Sequence, residues 1–165
     1  MDVFDAVKAR RTVRKYLPKE LSEKHLLRLL EAARLAPSGM NLQPWELVVV
    51  TLAEGKRALV PACNGQQFVG ECSVVIAGLD DPKAKWAKVD LALAMEQLVL
   101  QAVELGLGSC YIGAFSQEKV KAALGVPDDR EVVMLLTVGY PAERPPAQEK
   151  KSVERLVHRE RYGGN

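Results

Sequence analysis

The stretch from about Trp86 to Leu105 carries Leu91, Leu93, Met95, Leu98, Val99, Leu100, Val103 and Leu105. A helix through it is apolar on nearly every side, and such a helix needs cover all round. It belongs in a core or between subunits. A chain of 165 residues makes one domain, here taken as 1–165. A domain of that size has little room to surround so long a helix, which favours a subunit interface. The competing reading is the central helix of a monomer.

Bulk properties exclude several functions. Hydrophobic content is 48% and charged content 27%, as in ordinary globular proteins and unlike disordered ones. The net charge of +2 is too balanced for a surface devoted to nucleic acid, and only 5% of residues are aromatic, so stacking partners for bases are few. No nucleic-acid partner is expected. No unbroken apolar segment reaches the length of a membrane span, so no membrane partner is expected either. The opening "MDVFDAVKAR" is acidic where a signal peptide is basic. Cys63, Cys72 and Cys110 are odd in number and lack C-x-x-C spacing, which points to free thiols in a reducing cytoplasm. Two histidines, His25 and His158, are too few for a His-rich metal centre.

Several elements can be placed along the chain. Val3, Phe4 and Val7 form a short helical stripe. "TVRKYLP" reads as extended, since Thr, Val and Tyr favour strands and Pro18 stops a helix. Ser22 caps a helix running to about Ala36, with His25 where a complete capping box has Glu or Gln. "ELVVVT" is a strand, and Thr51 with Glu54 forms a capping box for a helix toward Ala62. "SVVIAGL" (73–79) is a continuously apolar strand buried on both faces. "GLGSCYIGAF" reads as a glycine-rich connector, Ser116 caps a short helix closed by Gly125, and "EVVMLLTVGY" is a third apolar strand. The tail beyond Pro141 is rich in Pro and charge, with a helical turn near Val153, Leu156 and Val157. Strands separated by helices indicate an α+β or α/β layered domain.

The usual catalytic signatures fail. "GLGSCYIG" has Tyr111 where a dinucleotide fingerprint has its third glycine, and Leu107 where a nucleophile elbow has its first. Cys110 has no evident His partner and reads as a buried thiol; Asp80 and Asp81, beside Pro82, read as solvated turn residues. With no side-chain constellation fit for hard chemistry, either a cofactor carries the reaction or the chain is not an enzyme. "RRTVRKY" (10–16) is the best binding candidate. In an extended segment Arg10, Thr12 and Arg14 share a face, offering two guanidinium forks and a hydroxyl to an anion. A solvated basic face is the competing reading. "PSGMNLQPW" and "NGQQ" (64–67) add side-chain amides, hydroxyls and an accommodating glycine.

Together these stretches resemble the nitroreductase family of FMN oxidoreductases. "RRTVRKY" is similar to the family's Arg-Arg-Ser-x-Arg-x-aromatic opening, with Thr12 for Ser. "APSGMNLQPWELVVVT" resembles its Pro-Ser-x-x-Asn-x-Gln-Pro-Trp segment. "VDLALAMEQLVLQAVELGLGSCYIGAF" resembles its central helix and glycine turn, and "LTVGYPAERPP" with "VERLVHRERYG" its last strand and tail. The resemblance implies an α+β, three-layer α/β/α domain with a mainly antiparallel sheet, a long buried central helix and a domain-exchanged homodimer. It implies FMN at the subunit interface. Arg10, Thr12 and Arg14 would hold the phosphate and ribityl, with Arg11 beside them. Pro37, Ser38, Gly39, Met40 and Asn41 would reach the flavin from the other subunit, and Asn64, Gln67, Ile112 and Gly113 would lie at the ring. Lys150, with Lys151 beside it, would complete the phosphate site where the family more often has Arg. NADH or NADPH would supply hydride, and a nitroaromatic, quinone or similar small-molecule acceptor would take it in a ping-pong cycle that needs no catalytic side chain. The alternative on the same scaffold is a non-catalytic FMN-binding or redox-sensing protein.

Overall fold

The computed structural model describes residues 1–164. Four strands form one antiparallel sheet in the order β1-β2-β4-β3: β1 (Trp45–Val50), β2 (Val74–Asp80), β3 (Gly108–Ile112) and β4 (Glu131–Gly139). Every residue of β2 is buried, as its unbroken apolar run requires. Because side chains alternate, Val75, Ala77 and Leu79 enter one core and Val74 and Ile76 the other. The first core includes Leu59 and Ala62 of α3 (Ala53–Ala62), Phe68 and Val69 of α4 (Phe68–Glu71), and Val120 of α6 (Gln117–Leu124). The second is built with Leu26, Leu29 and Ala33 of α2 (Glu23–Arg34) and Leu91, Met95, Leu98 and Val99 of α5 (Ala87–Glu104). The result is the expected three-layer α+β arrangement around an antiparallel sheet.

Local chemistry explains most boundaries. Ser22 Oγ accepts the His25 N–H and Ser116 Oγ the Lys119 N–H, so both sequence-derived caps are present. Gly125 takes φ 66°, the left-handed conformation that ends α6. Thr51 does not cap α3: the cap position is Leu52, with no side-chain bond. The glycine-rich segment is not merely a connector, because its middle, Gly108–Ile112, is β3, paired with β4 from Gly108↔Gly139 to Ile112↔Leu135. Asp80 is no solvated turn residue. It ends β2 at 1% exposure, and burial pushes its carboxyl up while the nearby Lys88 opposes this.

Residues 10–16 follow α1 (Val3–Ala9) as an extended arm. Thr12 bridges Ser109 in parallel and Tyr16 bridges Pro141 in antiparallel fashion. The Val13 N–H donates to Ser109 O at 2.9 Å, and Ala142 N–H to Lys15 O at 2.9 Å. Val13 and Tyr16 are buried, while Arg14 and Lys15 face solvent. Tyr16 Oη donates to Val13 O at 2.8 Å and lies 2.8 Å from Thr137 Oγ1, tying the arm to β4.

Within one chain the long helix is covered on one side and not all round. One side packs into the second core, and the other leaves Val89 51% and Leu93 44% exposed. Helix α1, which touches α5, leaves Val3, Phe4 and Val7 exposed as well. Among the described residues no helix is long and apolar enough to cross a membrane.

Candidate active site

The arm and the start of the tail enclose a cleft of about 640 Å³. Arg10, Arg11, Thr12, Arg14 and Lys150 line it together, and Lys15 and Glu143 join them. Lys150 is far from the arm in sequence; the tail from Pro141 runs antiparallel beside the arm and brings it there. Among the described residues no carboxylate pairs with Arg10, Arg14 or Lys150 at salt-bridge distance. Two guanidinium forks, an ammonium and the Thr12 hydroxyl therefore border one space, a donor set suited to a phosphate. Arg11 is differently engaged: its Nη1 donates to Lys8 O at 2.6 Å and Arg10 O at 2.8 Å, closing the C-terminal end of α1. Glu143 is a residue that sequence reasoning missed. Its Oε1 accepts the Arg14 N–H at 2.9 Å, fixing the arm to the tail, and no local pattern announces that contact.

The strand β3 leads from this cleft to a second polar group. Ser109 pairs with Thr12, and Gly113 lies four residues further on, about 13 Å along an extended chain. Ile112 is buried and Gly113 exposed, with open space where a side chain would stand. Asn64 Nδ2 donates to Ala114 O at 3.3 Å, and the Ser116 N–H to Ala62 O at 2.8 Å, so the 63–67 and 113–116 loops are joined. Gln66, in the amide-bearing 64–67 stretch but not among the expected ring contacts, donates to Cys63 O at 2.9 Å and Ala114 O at 3.4 Å. Gln67 is exposed, its Nε2 donating to Gly65 O at 3.1 Å. Tyr111 Oη donates to Glu96 Oε2 of α5 at 3.1 Å; burial and then the Glu96 charge push its phenol up. Burial likewise raises the Cys110 thiol, with Arg14 opposing, which disfavours a nucleophilic thiolate at this position.

The third predicted group, Pro37 to Asn41, is elsewhere. Gly39 to Asn41 form a 3-10 turn beside the N-terminal end of α5, where the Gly39 N–H reaches the Asp90 carboxylate. The cleft lies past the other end of α5, since the arm bonds Ser109 just after it. From Asp90 to Leu107 the helix and its exit span about 25 Å. One chain therefore brings Arg10, Thr12, Arg14 and Lys150 together, and Asn64 near Ile112 and Gly113, but leaves Pro37, Ser38, Gly39, Met40 and Asn41 apart from them.

Comparison with known proteins gives a consistent set of likenesses. The family model described as "Nitroreductase family" matches residues 7–71 and 64–140. An NADH dehydrogenase of Thermus thermophilus is 32% identical, over 95% of this chain and 95% of its own. A putative NADH dehydrogenase/NAD(P)H nitroreductase of Archaeoglobus fulgidus is 30% identical, over 93% of this chain and 94% of its own. The solved structure of an FMN-dependent nitroreductase from Clostridium difficile superposes with a TM-score of 0.87 at 30% identity, covering 96% of this chain and 99% of that one.

Proposed function

The chain belongs to the nitroreductase family, and on that premise we propose that it is a single-domain, FMN-dependent oxidoreductase. It takes hydride from NADH or NADPH and reduces nitroaromatic, quinone or similar small acceptors in two separate half-reactions. The names of the Archaeoglobus and Clostridium relatives support this reading. The observation that carries it is the cationic cleft: Arg10, Arg14 and Lys150, with no carboxylate at salt-bridge distance among the described residues, around the Thr12 hydroxyl, beside the strand β3 that leads to Gly113 and the loop of Asn64. That donor set fits the dianionic phosphate of FMN, and the Gly113 surface leaves a flat ring unobstructed.

FMN, when bound, supplies the hydride-accepting and hydride-donating chemistry; the residues supply position and electrostatics. Arg10, Thr12, Arg14 and Lys150 hold the phosphate, with Arg11 stabilising the backbone beneath them. Asn64, Gln67, Ile112 and Gly113 face the ring. Pro37 to Asn41 come from a second copy. Two α5 helices packed antiparallel would set the N-terminal end of one beside the C-terminal end of the other, and so a loop beside a partner's cleft. The exposed Val3, Phe4, Val7, Val89 and Leu93 give the apolar surface for that pairing. Burying five such side chains contributes on the order of 10 kcal/mol before the cost of association. A homodimer of this kind is isologous and large.

The test is a visible spectrum recorded anaerobically before and after NADPH or NADH. A yellow protein that bleaches, and recovers its colour on addition of a nitroaromatic or quinone, supports the reading. Steady-state data should then give parallel double-reciprocal lines, and intersecting lines count against two separate half-reactions. A yellow protein that stays yellow favours a non-catalytic FMN-binding or redox-sensing role. A protein that remains colourless after incubation with FMN overturns the phosphate assignment.

A further inference from the structure

Asp90 stands in the first turn of α5 at 5% exposure. Both carboxylate oxygens lie 3.2 Å from the Gly39 nitrogen, which donates to them from a loop fifty-one residues away in sequence. Among the described residues no cation pairs with Asp90 at salt-bridge distance. The N-terminal end of α5 favours a negative charge there, but a carboxylate removed from water with one backbone donor is a poor source of stability. An apolar side chain of similar size would serve the fold as well. What the carboxylate contributes is position.

The loop it holds has an unusual backbone. Met40, Asn41 and Gln43 have φ of 51°, 56° and 50°, each in the left-handed region. Such residues are strained and persist only where surroundings impose them. Among the described residues the constraints are the Gly39 N–H on Asp90, the Gln43 N–H on Ser38 Oγ at 3.0 Å, the Gln43 Nε2 on Asn41 O at 3.1 Å, and two turn bonds from Asn41 and Leu42. The Trp86 ring packs against Gly39, with Cδ1 3.4 Å from where a Cβ would lie. The Asp90 and Trp86 contacts tie the turn to α5, and the neighbouring Val89 and Leu93 are on that helix's exposed apolar face.

We propose that Asp90 is a positioning residue that locks the 38–41 turn to α5, so that subunit pairing aims the turn at the cofactor of the partner. The proposal rests on the flavin reading above. Asp90 itself touches no cofactor; it acts through the Gly39 amide, and the turn's contribution to FMN affinity then depends on it.

The test compares wild type with Asp90→Asn, which keeps an acceptor oxygen, and Asp90→Leu, which fills the space without one. FMN dissociation constants are measured by quenching of flavin fluorescence, and fold integrity by urea midpoints of the apoproteins. Asp90→Leu is expected to bind FMN at least about tenfold more weakly with little change in midpoint, and Asp90→Asn within about threefold of wild type. A merely structural role would move the midpoint and leave affinity alone. Wild-type affinity in Asp90→Leu, or equal weakening in both variants, overturns the proposal. Should Asp90→Leu fail to fold, amide exchange at Gly39 in the wild-type apoprotein decides. Exchange slowed about a hundredfold or more supports the bond, and exchange at the rate of a free peptide overturns it. Absence of FMN binding by wild type refutes the flavin reading itself, and the proposal with it, without recourse to any variant.

Discussion

Replacing Gly108 by alanine should damage fold and cleft together. An ideal Cβ at Gly108 lies 2.7 Å from Val13 Cγ2, 2.9 Å from Val13 Cβ and 3.0 Å from Val13 Cγ1. Ordinary contact begins near 3.4 Å, so the arm must retreat by 0.7 Å (3.4 − 2.7) at the closest point. Rotation about χ1 gives no escape, because the Val13 Cβ itself is too close. Val13 is 4% exposed, and its N–H donates to Ser109 O, so the shift strains a core contact and a backbone bond at once. Overpacking of this kind costs about 1–3 kcal/mol. Val13 lies between Thr12 and Arg14, so a displaced arm also misplaces the phosphate donors. Urea denaturation should show the stability loss, and flavin fluorescence a weakened FMN affinity. Val13→Ala alone should also destabilise; it removes the two Cγ contacts but keeps the Cβ one, so the double variant should be more stable than the sum of the two losses by about 0.5 kcal/mol or more. Unchanged stability in Gly108→Ala, or strict additivity in the double variant, would refute the reasoning.

Tyr16→Phe should lose about 1–3 kcal/mol in urea denaturation, because the buried Val13 O and Thr137 Oγ1 would each lose a partner. Burial pushes the Cys72 thiol up to about 12 and Cys63 up to about 11. The unfolded chain ionises these groups near pH 8.5, so stability present below that pH should fall as pH rises toward 11–12. The slope is at most about 1.4 kcal/mol per pH unit for Cys72, and Cys72→Ala should flatten it. At pH 8 the three buried thiols should react slowly with an aromatic disulfide reagent and rapidly in urea; fast reaction of the native protein would contradict their burial. Leu93→Lys, on the exposed face of α5, should give a monomer by light scattering and weaken FMN retention.

The long apolar runs made β2, β4 and α5 legible, because burial on two faces leaves no room for polar alternation. Ser22 and Ser116 announced their helices through local capping chemistry, which needs only neighbouring residues. β3 was missed because its glycines suit a loop; it is a strand since β4 supplies the ladder and Gly108 lets Val13 approach. Asp80 was misjudged for a similar reason: Pro82 signals a turn, yet the last β2 residue before it is still between layers. Arg10, Thr12 and Arg14 were visible as a cluster, whereas Glu143 and Gln66 act through contacts distant in sequence. That Pro37 to Asn41 lie at the far end of α5 from the cleft is a property of the folded helix, and no local pattern reports it.

The composite site is most directly tested with mixed dimers. One variant disables the cleft by Arg10→Ala with Arg14→Ala, and the other disables the turn by Ser38→Ala with Asn41→Ala. Each should bind little FMN alone. Subunits exchanged in equal amounts form heterodimers in half of the population, and each heterodimer regains one intact site, so FMN binding should return to about a quarter of wild type. Recovery to that level supports a flavin held between the cleft of one protomer and the turn of its partner. No recovery in verified heterodimers would contradict it, because a site built within one chain carries a lesion in every copy.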